Sequence, residues 1–155
     1  MKIEKQFTVE AAQETVWDFI TSPDKVGPCI PGCEQVEVVG PGKYRATIKL
    51  KVGPIKTTFH VTVTTTEETP PQFATYETKG EEGGKASRLS ATSSLTVTPQ
   101  GPAQSEVGYT SDITIAGRLG KFGAGVMNKI ADKMNDKFVA ALRAGIEEGA
   151  GEQKG

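Results

Sequence analysis

What this chain has little of narrows it quickly. It holds one histidine, His60, and two cysteines, Cys29 and Cys33. A zinc or iron site draws on several His, Cys or carboxylate donors at defined spacing, so a lone imidazole gives little support to a metal centre. The two thiols are too few and too close for a disulfide framework, and C-x-x-x-C is not the C-x-x-C of redox motifs. Aromatics reach only 6%, the net charge is -1, and there is no block of Lys and Arg. That argues against nucleic acid, whose phosphates demand clustered cations. No apolar run approaches the ~20 residues of a membrane span, and no signal peptide opens the sequence. The expectation is a soluble, reduced, cytoplasmic protein.

What is present is pattern. The 155 residues suit one domain, expected over residues 1–146 with a flexible polar tail over 147–155. Leu119, Phe122, Val126, Ile130, Met134, Phe138 and Leu142 recur at three- and four-residue steps. They predict a long amphipathic helix from Arg118 to Ile146, ended by Gly149-Ala150-Gly151. Almost everything earlier alternates with a period of two. Ile3, Phe7 and Val9 give a first strand with one odd inward lysine, Lys5, whose amine is expected to reach water at the strand's open end. A short helix over Glu10 to Ile20 follows, and Ser22-Pro23-Asp24 predicts a capped second one. Six further strands come in quick succession, broken by Gly40-Pro41-Gly42, Gly53-Pro54, Pro70-Pro71 and the loop Gly80–Lys85. The fold class is α+β, an antiparallel meander of seven strands covered by one long helix.

Catalytic chemistry finds few residues. His60 sits at an outward position. Gly80-Glu81-Glu82-Gly83-Gly84-Lys85 fails as a phosphate loop: its spacing is one short, Ala86 replaces Ser or Thr, and two carboxylates would repel phosphate. It reads as a hairpin turn. Lys129, Lys133 and Lys137 line one flank of the long helix between Asp132 and Asp136, as a solvated face or as a basic edge toward an acidic surface. Only Lys5, Glu77 and Lys79 are available as a general acid or base.

The inward positions of the late strands include Thr75, Ser87, Ala91, Ser93 and Ser111, all small. A sheet of this size around one helix encloses more volume than such side chains fill. Interiors pack to about 0.74, so the gap is closed by collapse of the sheet, by water or by a guest molecule.

The sequence resembles the CoxG-like family, named for a subunit of carbon monoxide dehydrogenase, within the START-like, or SRPBCC, helix-grip superfamily. Glu14-Thr15-Val16-Trp17-Asp18-Phe19-Ile20 with Ser22-Pro23 matches the superfamily's opening helix. Cys29-Ile30-Pro31-Gly32-Cys33-Glu34 is more specific to the CoxG group. So are Tyr44-Arg45-Ala46 leading to Lys51-Val52-Gly53-Pro54, the Pro70-Pro71 pair, and Gly117-Arg118-Leu119 with Gly123. Two features depart from it: Val61 stands where relatives often have glycine, and the tail from Glu147 is polar rather than an apolar anchor.

The resemblance implies a curved sheet gripping the C-terminal helix around an apolar pocket. It also implies an accessory role beside a molybdenum-containing carbon monoxide dehydrogenase or related hydroxylase. Membrane association and a bound quinone or other lipid belong to the same implication. The expected protein is a non-enzymatic carrier, peripheral to the inner face of the membrane at most; the alternative is an assembly or recruitment factor acting by protein contact. Pocket lining is expected from Phe7, Trp17, Ile30, Ile48, Phe59, Val61, Ala91, Tyr109, Phe122, Val126, Ile130 and Met134. Tyr109 can donate to a ligand carbonyl or to backbone. The mouth is expected at Cys29, Pro31, Cys33 and Gly120.

Overall fold

The computed structural model describes residues 2–52 and 54–154, with the side chains of Lys85, Ala124 and 150–154 excepted. Seven strands carry the chain: β1 (Lys2–Val9), β2 (Cys33–Gly40), β3 (Lys43–Val52), β4 (Ile55–Thr69), β5 (Phe73–Glu82), β6 (Ser87–Gly101) and β7 (Gln104–Gly117). They form one antiparallel sheet in the order β1-β7-β6-β5-β4-β3-β2. The strands from β2 to β7 are thus a meander, and β1 closes against the last of them. Two short helices, α1 (Gln13–Ile20) and α2 (Pro23–Val26), with a 3-10 turn at Gly27–Cys29, fill the connection from β1 to β2. The long helix α3 (Ala124–Lys154) ends the described chain. This is the expected helix-grip architecture of seven curved antiparallel strands, two short helices and a C-terminal helix.

Several local expectations are corrected. Ser22 does not cap α2 with its side chain: its hydroxyl donates back to the Asp18 carbonyl at 2.6 Å, while its own carbonyl receives the N–H groups of Lys25 and Val26. The opening helix starts at Gln13 rather than Glu10. The long helix does not start at Arg118. Arg118–Phe122 form a 3-10 turn between Gly117 (φ 94°) and Gly123 (φ 84°), a left-handed backbone that no α-helix can contain and that favours glycine. At the other end α3 runs through Gly149 to Lys154. Glycine costs a helix about 1 kcal/mol but does not forbid it, and just before Gly149 the Glu147 carboxylate accepts from the Glu10 N–H at 2.9 Å. Gly53, expected in the turn before Pro54, lies outside the described residues.

The phase of β5 also differs. Thr75, expected inward, lies on the outer face and shares a hydroxyl contact of 2.7 Å with Thr66. Ala74, Gly80 and Glu82 are buried, and Tyr76 and Thr78 share their parity. Ladder register sets this phase: the even positions of β5 stand opposite inward odd positions of β4 and β6, Tyr76 between Thr65 and Ser93. The register shift between Thr65 and Glu67 re-phases only the end of β4.

Two apolar clusters hold the fold. The first gathers Phe7 and Val9 of β1, Val16 and Trp17 of α1, Val26 of α2, Leu95, Val97 and Val107 of the sheet, and Leu142 and Ile146 of α3. The second is smaller: Ala46, Val52, Phe59 and Val61 of β3 and β4, with Leu119 of the 3-10 turn. Among the described residues of α3 it receives the partly buried Met127 and Ile130.

Candidate functional site

Between the concave face of the sheet and α3 lies a cavity of about 620 Å³, inside the ~300–1,000 Å³ range of small-molecule sites. Its existence follows from small residues on the floor. Ala46, Val61, Ala91, Ser93 and Ser111 all line it. Gly80, beside Val61 in the β4–β5 ladder, has no room for a side chain: a Cβ there would stand 2.7 Å from Val61 Cγ1. Val61 is thus accommodated by glycine on the neighbouring strand.

Of the residues expected to line a pocket, Phe7, Ile30, Ile48, Phe59, Val61, Ala91, Tyr109, Ile130 and Met134 face the cavity, as does Pro31. Three do not. Trp17 is 5% exposed within the first apolar cluster, because α1 turns it toward the sheet's far end. Phe122 belongs to the 3-10 turn and packs against the second cluster. Val126, in the first turn of α3, is 43% exposed.

The mouth is elsewhere than expected at three of its four positions. Cys29 is buried, with its thiol toward the Lys25 carbonyl; Cys33 opens β2, with its thiol toward the Gln35 carbonyl. Burial pushes both thiols up, so neither is poised as a thiolate. Gly120 packs against the Ile115 carbonyl. The exposed lining residues instead gather at the β2–β3 turn: Val38 at 63% exposure, Pro41, Gly42 and Lys43, with Glu68 of β4 nearby.

All three tyrosines of the chain line the cavity. Tyr44 and Tyr76 were not anticipated there. Tyr44 shares the parity of Ala46 and Ile48, a signal already present in the β3 alternation; Tyr76 follows the even inward phase of β5, opposite to the phase expected from Thr75. Burial pushes Tyr44 up to about 12, helped by Tyr76, Tyr109 and Cys33 close by. Burial and then the Glu68 carboxylate push Tyr76 up to about 12. Tyr109 meets Phe138 of α3 edge to face, ring centroids 6.5 Å apart.

The residues considered for acid–base work lie off the cavity. Glu77 and Lys79 are outward on β5 and pair with each other at 3.6 Å. Lys5 is half-buried, and its amine approaches Asp136 and Asp132 of α3 at 3.6 and 4.0 Å. His60 is exposed. Among the described residues the buried charge is Glu82, 2% exposed, which sequence reasoning placed in a hairpin turn. It accepts from Arg118 Nε at 2.9 and 3.0 Å and from the Arg118 Nη2 and Thr57 hydroxyl. Those hydrogen bonds, Arg118 foremost, outweigh burial and hold its carboxyl down at about 2. Ser87 accepts from the Leu119 N–H at 3.0 Å. Together these bonds fasten the 3-10 turn to the ends of β4, β5 and β6.

Solved structures share the fold at low identity. A conserved protein from Geobacillus kaustophilus matches with a TM-score of 0.87 and 20% identity, covering 96% of each chain. A START superfamily protein from Mycobacterium smegmatis matches at 0.71 and 12% identity, over 95% of this chain and 97% of that one. The Zhui aromatase/cyclase from Streptomyces sp. R1128 matches at 0.70 and 15% identity, over 95% and 93%. No curated protein sequence matches significantly. A family model for CoxG, described as a subunit of carbon monoxide dehydrogenase, matches residues 6–147.

Proposed function

Since the chain belongs to the CoxG family of carbon monoxide dehydrogenase subunits, we propose that it carries a hydrophobic small molecule, a prenylated respiratory quinone, for a carbon monoxide dehydrogenase or related molybdenum hydroxylase. The observation that carries this reading is the cavity of about 620 Å³ under α3, lined mainly by aliphatic and aromatic side chains. Each methylene exposed to water costs about 0.8 kcal/mol, so a prenyl chain needs a lined hollow to cross an aqueous gap. The mouth suits loading at a bilayer: Val38 and Pro41 are apolar and exposed there, beside the cation of Lys43. Among the described residues no helix is long and apolar enough to cross a membrane, so the proposal is peripheral contact at the membrane's inner face. Carriage rather than catalysis is favoured by the outward position of Glu77 and Lys79 and the ion-paired Lys5.

Native mass spectrometry of freshly purified protein tests this directly. A co-purifying species that dissociates as a prenylquinone is expected. Protein that emerges empty, and that takes up no quinone from vesicles doped with one, would end the carrier reading.

A further inference from the structure

The inward rows of the sheet are not uniformly apolar. Thr65 of β4 pairs with Tyr76 of β5, Tyr76 with Ser93 of β6, and Ser93 with Ser111 of β7. All four line the cavity. Four hydroxyl-bearing side chains therefore stand in one register line across four adjacent strands. Two rows away on one side the inward residues are Val61, Leu89 and Ile115; two rows away on the other they are Val97, Val107 and Phe7. The line crosses the floor as a polar band between two apolar halves. Tyr44 and Tyr109 lie one row from it, on opposite sides.

The band is neutral. Ser93 and Ser111 are 8% and 2% exposed and their hydroxyl oxygens lie 2.9 Å apart. That contact uses one hydroxyl hydrogen and leaves the other to be donated onward. Tyr44 and Tyr76, both pushed up to about 12, keep their O–H at neutral pH. Among the described lining residues the charged ones are Lys43 and Glu68, both exposed at the mouth.

We propose that this band selects the cargo: an uncharged amphiphile whose ring bears carbonyl oxygens lies with that ring across Thr65, Tyr76, Ser93 and Ser111 and its apolar parts in the two halves, in preference to a fatty acid anion. The inference rests on the carrier reading and deepens it by naming the residues that discriminate the ring of its cargo. Carbonyl oxygens accept from hydroxyls that a hydrocarbon would strip of water without replacement. A carboxylate laid on the same band would lose its hydration with no cation beside it.

The test is calorimetric titration with three probes: 2-prenyl-1,4-naphthoquinone, 2-prenylnaphthalene, which keeps the shape without the carbonyls, and decanoate. The unaltered protein is expected to bind the quinone about tenfold tighter than the naphthalene, with decanoate weakest. In the double variant Ser93→Ala, Ser111→Ala the quinone should weaken about tenfold while the naphthalene holds. Removing both partners together leaves no orphaned hydroxyl, so the fold should persist; Thr65→Val, at a half-buried position, carries the same comparison if it does not. Equal binding of quinone and naphthalene, preference for decanoate, or a variant indistinguishable from the parent would overturn the band while leaving the carrier reading standing. If the unaltered protein binds none of the three, the carrier reading falls and the band with it.

Discussion

The two halves of α3 meet the same sheet with opposite results. Leu142 and Ile146, 4% and 0% exposed, lock its C-terminal half against α1, β1 and the neighbouring strands. Its N-terminal half offers Met127 and Ile130 to the second cluster, and both remain partly exposed to the cavity. One amphipathic stripe thus does two jobs. Where it meets bulky partners, the space closes and stability accumulates; where it meets Ala46, Val61 and Gly80, the space stays open. Rigidity at one end allows emptiness at the other.

The sharpest way to break this comparison is to truncate both halves. Leu142→Ala or Ile146→Ala is expected to lower the unfolding free energy by about 3 kcal/mol, and Met127→Ala or Ile130→Ala by about 1 kcal/mol or less, read from urea titrations. Equal losses at the two ends would sink the distinction. Next in size is the tie that fastens the open half. Glu82→Gln should cost about 2 kcal/mol, the worth of hydrogen bonds to a charged group. Its pH signature has a definite sign. The folded carboxyl is held at about 2, below its ordinary value of 4.5, so the stabilisation is complete above pH 4.5 and drains away as pH falls toward 2. The stability difference between parent and variant should therefore shrink across that window; a difference that is flat with pH would remove the ionised carboxylate from the account. Smallest is the floor. Gly80→Ala should cost about 1 kcal/mol by forcing Val61 aside, and Val61→Ala should recover most of it in the double variant. Additive losses would mean that the two residues do not share the space.

Much of this was legible in the sequence, and the failures have physical causes. Period-two alternation in β3, β4 and β7 gave the inward residues correctly, because those ladders keep a constant register over the stretches that matter. The stripe from Ile130 to Leu142 was equally plain. Tyr76 and Glu82 were missed because β5 runs on to Glu82 with its even positions inward, whereas the alternation was expected to turn Thr75 inward and to leave Glu82 in a turn. Phe122 continued the helical period on paper, yet Gly123, with its positive φ, stands between it and α3. Trp17, expected in the hollow, is carried by its helix into the solid half. The partner of Glu82 was invisible because Arg118 lies 36 residues away in the chain.

The position of β1 at the sheet's edge has one more outcome. Every other ladder joins strands that follow one another in sequence, whereas β1 must find β7, and the Ser105 hydroxyl reaches back 94 residues to the Ala11 carbonyl. Closing so long a loop carries the greatest entropic penalty in the topology. Until it closes, α1 and α2 hang from a strand with no neighbour and the hollow has no wall on that side. The wall of the hollow is thus completed by a pairing between strands far apart in the chain, and the cavity takes shape only once β1 and β7 have met.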